Sequence, residues 1–232
     1  FEQLARSELI KIDLNGQQTP WRKAEMYGSV NFSPDGSKVL ITQYAKPFSY
    51  LVPYSRFPKS ETVYSNRGDK VATIVEVPLI EDLPKGFMAV REGRRNIQWR
   101  DDKPHTLVYV EALDSGDPAV EVEHRDQLMQ LEMPYTGEAK RLFSSINRMY
   151  SVQWGDDQNA IANDYWWNNR NQKTYWFNPS NPEQQSTMLH DRNYQDMYSD
   201  PGSFVEHRNQ YGRNVLDLKD GSVFLIGEGY SD

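Results

Sequence analysis

Five aspartates placed just after aromatic residues are the first groups in this chain whose type and spacing could do chemistry. Asp101-Asp102 follows Trp99-Arg100, Asp156-Asp157 follows Trp154-Gly155, and Asp35 follows Phe32-Ser33-Pro34. Paired carboxylates serve glycoside hydrolysis when one is the acid and the other the base or nucleophile, about 5 to 9.5 Å apart across a cleft. Recurrence at equivalent positions has a simpler source, because an Asp at a hairpin turn accepts hydrogen bonds from nearby backbone. Asp114-Ser115-Gly116-Asp117 offers oxygen ligands and a Gly turn to a calcium ion but lacks the ordered ligand series of an EF-hand loop, so a plain turn explains it better. The four histidines, His105, His124, His190 and His207, show neither i,i+4 pairing nor an adjacent ligand cluster. No metal or cofactor is expected. Arg67-Gly68-Asp69 matches an adhesion tripeptide and reads as a turn.

An α/β-hydrolase nucleophile needs G-x-S-x-G at a strand-to-helix turn, followed by an acid and a His. That pattern is absent. Gly229-Tyr230-Ser231 begins like one, but its place in the repeat favours a hairpin. With zero Cys the chain has no disulfide, zinc thiolate or cysteine nucleophile. No catalytic residue is therefore expected here.

Cations and rings supply the remaining candidates. Arg91, Arg94 and Arg95 cluster before Trp99, and Arg170 sits in the Asn168–Gln172 turn. An Arg can grip a carboxylate through paired hydrogen bonds; solvated loop arginines are the competing reading. Asp164-Tyr165-Trp166-Trp167-Asn168-Asn169-Arg170-Asn171 concentrates aromatics and amides, a composition suited to contact surfaces. Its alternative is a strand whose rings divide between two faces. Substrate-contact candidates are thus Arg170, Trp166, Trp167, Arg94 and Arg95. Trp99 and Trp154 either pack between sheets or stack a sugar.

The elements that must position these groups repeat. Val30-Asn31-Phe32-Ser33-Pro34-Asp35-Gly36 leads into Ser37–Ile41, an aromatic, a polar turn and a β-branched run, which is a hairpin signature. The same grammar returns from Ile97 to Val110 and from Val152 to Ala162, with a fourth echo at Asp220–Ile226. Phe32, Trp99 and Trp154 stand 67 and 55 residues apart, long for a minimal propeller blade but close to a four-stranded blade with one long loop. A second strand pair is expected after each hairpin, at 127–131 with 140–143 and at 173–177 with 186–190. Glu8–Asp13 with Asn15-Gly16 reads as part of an earlier unit, and Val215–Ile226 as the first half of a later one. The fold class expected is all-β, a partial β-propeller of four-stranded antiparallel blades, about three whole blades plus two half blades. A two-sheet sandwich is the competing architecture.

A chain of 232 residues is long enough for one sizeable all-β core, and 12% aromatics, with 14 Tyr and 6 Trp, suit the space between stacked sheets. The formal charge of −7 argues against nucleic acid as the main partner, since phosphate binding needs a basic surface. No run of about 18 apolar residues marks a membrane span. Phe1 in place of Met, with both ends inside the repeat, suggests an excised piece, and the absence of Cys fits an exported protein, periplasmic or secreted.

Glu81-Asp82-Leu83-Pro84, Arg91-Glu92-Gly93-Arg94-Arg95-Asn96-Ile97-Gln98-Trp99-Arg100, Asp102-Lys103-Pro104 and Val110-Glu111-Ala112-Leu113-Asp114-Ser115-Gly116-Asp117 carry a resemblance to the prolyl oligopeptidase class of serine peptidases, in its glutamyl endopeptidase-like branch. The match is densest over 77–126 and looser to Pro179. It implies a noncatalytic propeller, 1–232 as one fragment, that sits over a C-terminal α/β-hydrolase domain of the parent chain and restricts peptide access to it. The triad would lie C-terminal to this piece. Arg170 falls where similar proteins carry a basic hairpin tip, which implies a role in selecting acidic residues. Three competing functions follow: the gating propeller of an exported serine peptidase, a free-standing propeller scaffold for a protein or peptide partner, and a carbohydrate-active propeller enzyme. An incomplete ring would also expose sheet edges, and self-association is expected from them.

Overall fold

The computed structural model describes Glu2 to Glu228; Gly229-Tyr230-Ser231 lies outside the described residues. The architecture is all-β, a partial β-propeller of four-stranded antiparallel blades in which no sheet closes on itself among the described residues. The chain divides into two compact units, Phe1–Asp82 with Glu132–Glu138, and Leu83–Leu131 with Ala139–Asp232.

In the first unit a short helix α1 (Glu2–Ala5) precedes the hairpin of β1 (Ser7–Ile12) and β2 (Gln18–Glu25). A four-stranded sheet follows, β3 (Tyr27–Phe32), β4 (Lys38–Tyr44), β5 (Lys59–Ser65) and β6 (Lys70–Val77), paired in chain order. Its first hairpin forms because Asp35 caps its own turn. Asp35 Oδ1 accepts from Ser37 N at 3.0 Å and Ser33 Oγ at 2.7 Å, and Gly36 supplies the left-handed residue at φ +70°. Val39, Ile41 and Tyr64 form the core, with Leu9, Trp21 and Tyr27 packed on it. Arg67-Gly68-Asp69 is the β5–β6 turn, held by Asp69 N donating to Ser65 Oγ at 3.2 Å.

The second unit carries two more four-stranded sheets. The first contains β7 (Arg95–Trp99), β8 (Leu107–Ala112), β9 (Asp126–Leu131) and β10 (Lys140–Ser145); the second contains β11 (Arg148–Trp154), β12 (Ala160–Trp166), β13 (Asn171–Phe177) and β14 (Thr187–Asn193). The second strand pairs expected after each hairpin are β9 with β10 and β13 with β14. Apolar residues two apart in sequence face the same way on a strand. Val108 and Val110 of β8, with Leu128, Leu142 and Phe143, therefore meet Ala160 and Ala162 of β12, with Met149, Trp154, Tyr175 and Phe177. Alanines opposite large rings let the sheets approach, and Phe143 lies 5.0 Å from Phe177 and 5.1 Å from Tyr175.

Trp99 and Trp154 are buried in this unit, Trp154 2% exposed with the Arg100 guanidinium 4.1 Å above its ring. Phe32 differs, at 52% exposed, so it matches the tryptophans in hairpin position rather than in burial. The last strands are short: β15 (Ser203–Phe204), β16 (Glu206–Arg208), β17 (Asn214–Leu216) and β18 (Leu225–Ile226). Here the fourth echo of the repeat parts from the first. Asp220–Ile226 makes no hairpin like Asp35–Ile41; the turn closes on a Lys219–Ser222 bridge, and β18 pairs back with β15 while β16 pairs with β17. Gly202 and Gly227 permit that approach, since a Cβ on Gly202 would lie 2.2 Å from Ile226 O.

Candidate functional site

Register places Arg95, Asp126, Arg148 and Trp166 of the second unit at strand ends that adjoin across the short β10–β11 connection. Arg95 opens β7 and Ala112, closing β8, pairs Asp126, which opens β9; Ser145, closing β10, also pairs Asp126. In the next sheet Arg148 of β11 pairs Tyr165, and Trp166, closing β12, pairs Asn171, opening β13.

A buried ion cluster ties these strand ends together. Asp126 Oδ1 accepts from Arg95 Nη2 at 2.6 Å and Arg148 Nη1 at 3.0 Å, and its Oδ2 accepts from Met149 N at 3.0 Å. Asp114 Oδ2 accepts from Arg148 Nη2 and Arg125 Nη1, both at 2.8 Å. Arg148 also donates from Nε to Met88 O at 3.0 Å and from Nη1 to Arg125 O at 3.1 Å. Burial pushes the Asp126 carboxyl above the usual range while Arg95 and Arg148 pull against the shift. Burial likewise pushes the Arg95 guanidinium down, with Asp126 opposing. Charges this deep persist because each is paired and hydrogen-bonded.

The cluster fixes the surface above it. Its hold on Met88 O buries Met88 and leaves Phe87 83% exposed. Val90 N donates to Gly116 O at 3.0 Å. Gly116 is required there, at φ +76° with Val90 O only 2.0 Å from where a Cβ would stand. The Phe87 ring lies 5.3 Å from Trp167. Trp167 begins the β12–β13 turn, closed by Arg170 N to Trp167 O at 3.3 Å and Asn171 N to Asn169 Oδ1 at 3.0 Å. Arg170 occupies the left-handed region at φ +58° and lays its guanidinium 4.0 Å over the Trp167 ring.

The structure therefore gathers some of the predicted residues and separates others. Trp167 and Arg170 are in contact. Trp166, the last residue of β12, is half-buried and takes the Arg125 guanidinium 4.1 Å above its ring, a different cation from the one Trp167 carries. Arg94 is half-buried, 4.9 Å over the Tyr109 ring, whereas Arg95 is buried and committed to Asp126. Phe87, Arg125 and Arg148 were missed. For Phe87 the available signal was a large ring directly after Gly86 in a turn-rich loop; for the two arginines there was none beyond a charge next to a strand start.

The aspartates that looked able to do chemistry have structural partners. Asp102 forks with Arg100, Nε to Oδ1 at 3.0 Å and Nη2 to Oδ2 at 2.5 Å. Asp156 Oδ1 accepts from Gln158 N at 2.8 Å and Asn159 Nδ2 at 2.9 Å, and Asp157 pairs with Lys103. Asp114 Oδ1 accepts from Gly116 N at 3.0 Å. Among the described residues no group of three or more His, Asp or Glu gathers at metal-binding distance. A separate cleft of about 950 Å³ lies between β11–β14 and the β15–β18 pair, lined by Tyr150, Gln172, His190, Arg192, Phe204 and Ile226 among others; Arg192 is paired there with Asp200 at 2.7 Å.

No protein-family model matches the chain. Over 218 residues, 93% of its length, it is 34% identical to the "Probable glutamyl endopeptidase, chloroplastic" of Oryza sativa subsp. japonica. The protein of the same name from Arabidopsis thaliana matches at the same identity and coverage. The chain is similar in sequence to two proteins named probable glutamyl endopeptidase. It spans 23% of the length of these relatives. The resemblance carried by Glu81–Pro84 and Arg91–Arg100 thus extends over nearly the whole chain. Among solved structures, Pyrococcus horikoshii acylaminoacyl peptidase aligns with 97% of this chain and 37% of its own, at 12% identity and a TM-score of 0.48. No helix among the described residues is long and apolar enough to cross a membrane.

Proposed function

We propose that this chain is the noncatalytic propeller portion of an exported serine peptidase of the prolyl oligopeptidase class, in which it restricts access of peptides to a separate α/β-hydrolase domain. The observation that carries this reading is the 34% identity to glutamyl endopeptidases across 93% of the chain, joined to four-stranded antiparallel blades. Both compact units belong to the one propeller. Its contribution is exclusion and guidance: folded proteins are held out and extended peptides pass.

Acidic selectivity is assigned to the β12–β13 turn. Arg170 Nη1 donates to Trp167 O, which fixes the guanidinium against the indole. Nε and Nη2 make no hydrogen bond among the described residues, which leaves a planar pair of donors for a substrate carboxylate. Trp167 contacts Arg170 directly; Trp166 and Arg94 are assigned to the same contact surface, while Arg95 is committed to Asp126. Placement in the periplasm or outside the cell is part of the same proposal, and the absence of Cys is compatible with it.

Fluorophosphonate labelling of the native protein, captured from its source with an antibody to this chain, alongside the purified 232-residue chain, tests the proposal. Labelling of a larger native species but not of the chain alone is expected. A native species of the chain's own size that never labels refutes the peptidase reading and leaves a free-standing scaffold.

A further inference from the structure

We propose that Phe87 and Trp167 form, beside Arg170, an aromatic step that receives an apolar side chain two positions from an acidic residue, so that the ligand class is an extended peptide carrying Asp or Glu two residues from an aromatic or large aliphatic residue. The inference rests on the carboxylate-binding reading of Arg170 and extends it to a second determinant.

Three observations carry it. Phe87 is a large ring left 83% exposed in a loop whose next residue, Met88, is 4% exposed and anchored by Arg148. Exposure of Phe87 is therefore imposed by a fixed backbone. Phe87 and Trp167 meet at 5.3 Å with ring planes tilted by 43°, giving a stepped apolar face. The same indole carries the Arg170 guanidinium 4.0 Å from its ring centre, so cation and apolar step share one side chain. Alternate side chains of an extended peptide repeat at roughly 7 Å along the chain, which lets one peptide put a carboxylate on Arg170 and an apolar group on the step. Local charge supports the same ligand: against the chain's overall −7, this turn offers a cation held on the Trp167 ring with Nε and Nη2 open to a carboxylate.

Fluorescence anisotropy of three labelled peptides on the 232-residue chain tests it, the peptides being identical apart from a central Glu-Ala-Phe, Glu-Ala-Ser or Gln-Ala-Phe, called Glu-Phe, Glu-Ser and Gln-Phe after their two variable residues. Glu-Phe should bind about tenfold tighter than Glu-Ser, the scale of one aromatic contact. Phe87→Ala should bring Glu-Phe down to the level of Glu-Ser while leaving Glu-Ser unchanged. Arg170→Gln should erase the preference for Glu over Gln while keeping the preference for Phe over Ser. Equal binding of Glu-Phe and Glu-Ser, or a Phe87→Ala variant that weakens all three peptides alike or none, overturns the aromatic step. Arg170→Gln without effect on the Glu-to-Gln ratio overturns the carboxylate reading instead, and the Phe87 arm then decides the step by itself. Absence of binding by any peptide overturns both.

Discussion

Arg148→Met removes the side chain on which the second unit's charged end depends. Four hydrogen bonds disappear, to Asp114 Oδ2 at 2.8 Å, Asp126 Oδ1 at 3.0 Å, Met88 O at 3.0 Å and Arg125 O at 3.1 Å. Breaking a buried ion pair from one side costs about 3 to 5 kcal/mol because the remaining charge is stranded. Here neither carboxylate is wholly stranded. Asp114 keeps Arg125 at 2.8 Å and Asp126 keeps Arg95 at 2.6 Å, which places the loss near the lower limit, about 3 kcal/mol. For a unit of this size that corresponds to a fall in Tm of about 6 to 12 °C. Because the cluster is buried, the loss should change little between about 0.05 M and about 1 M salt, where exposed pairs are screened away. Urea and thermal unfolding of both proteins, followed by tryptophan fluorescence at the two salt levels, give the comparison. A loss below about 1 kcal/mol, the worth of an exposed pair, or one that vanishes in high salt, would refute the claim that this network holds the unit together.

Gly116→Ala should be destabilising by about 2 to 3 kcal/mol, combining left-handed strain with loss of the Val90 hydrogen bond. Gly212→Ala, at φ +71° with nothing within 4 Å, should cost only the strain, about 1 kcal/mol; equal urea midpoints for the two variants would count against a clash with Val90 O. Asp164 is fully buried, accepting from Asn147 N at 2.9 Å, Asn147 Nδ2 at 3.0 Å and Tyr175 Oη at 2.9 Å, and burial holds its carboxyl above the usual 3.8. The folded state therefore binds its proton more readily than the unfolded state. Its linkage contribution is full below the unfolded pKa and is lost as pH rises through the folded one. Asp164→Asn should lose about 1 to 3 kcal/mol through a mismatched donor, and the stability of the parent relative to this variant should fall as pH rises from about 4. Urea titrations across that range would contradict the assignment if the difference grew instead.

The fold was legible where local chemistry and tertiary packing demand the same residue. Trp99 and Trp154 each end a strand before a polar turn, and each is buried at the same place in its sheet. Asp35, Asp102 and Asp156 bond within their own hairpins, so their roles could be read from sequence separation alone. The C-terminal strands were less legible because β18 pairs with residues more than twenty positions back, a contact for which Asp220-Gly221 gives no signal. The candidate site was legible in half. Arg170 and Trp167 share one turn and were found together, whereas Phe87 arrives from a loop eighty residues earlier, through an anchor on Arg148 that only the structure reveals.

Asp126 and Asp164, two buried carboxylates near the ends of their sheets, explain through their hydrogen bonds why that end of the unit is firm. Only Ile146 and Asn147 separate β10 from β11, and this short crossing joins the two sheets. Asp126 in the first sheet accepts from Met149 N, and Asp164 in the second accepts from Asn147 N. Each carboxylate thus holds a backbone N–H at or beside the crossing, one from each sheet, and Asn147 Nδ2 also reaches Asp164 Oδ1 at 3.0 Å and Asn171 Oδ1 at 3.1 Å. An apolar contact would resist separation of the sheets but not their sliding, because burial is non-directional. Hydrogen bonds from buried carboxylates are directional and are costly to leave unmade. The crossing is therefore pinned in register as well as in distance, and the Trp167 turn and the Phe87 loop inherit that precision.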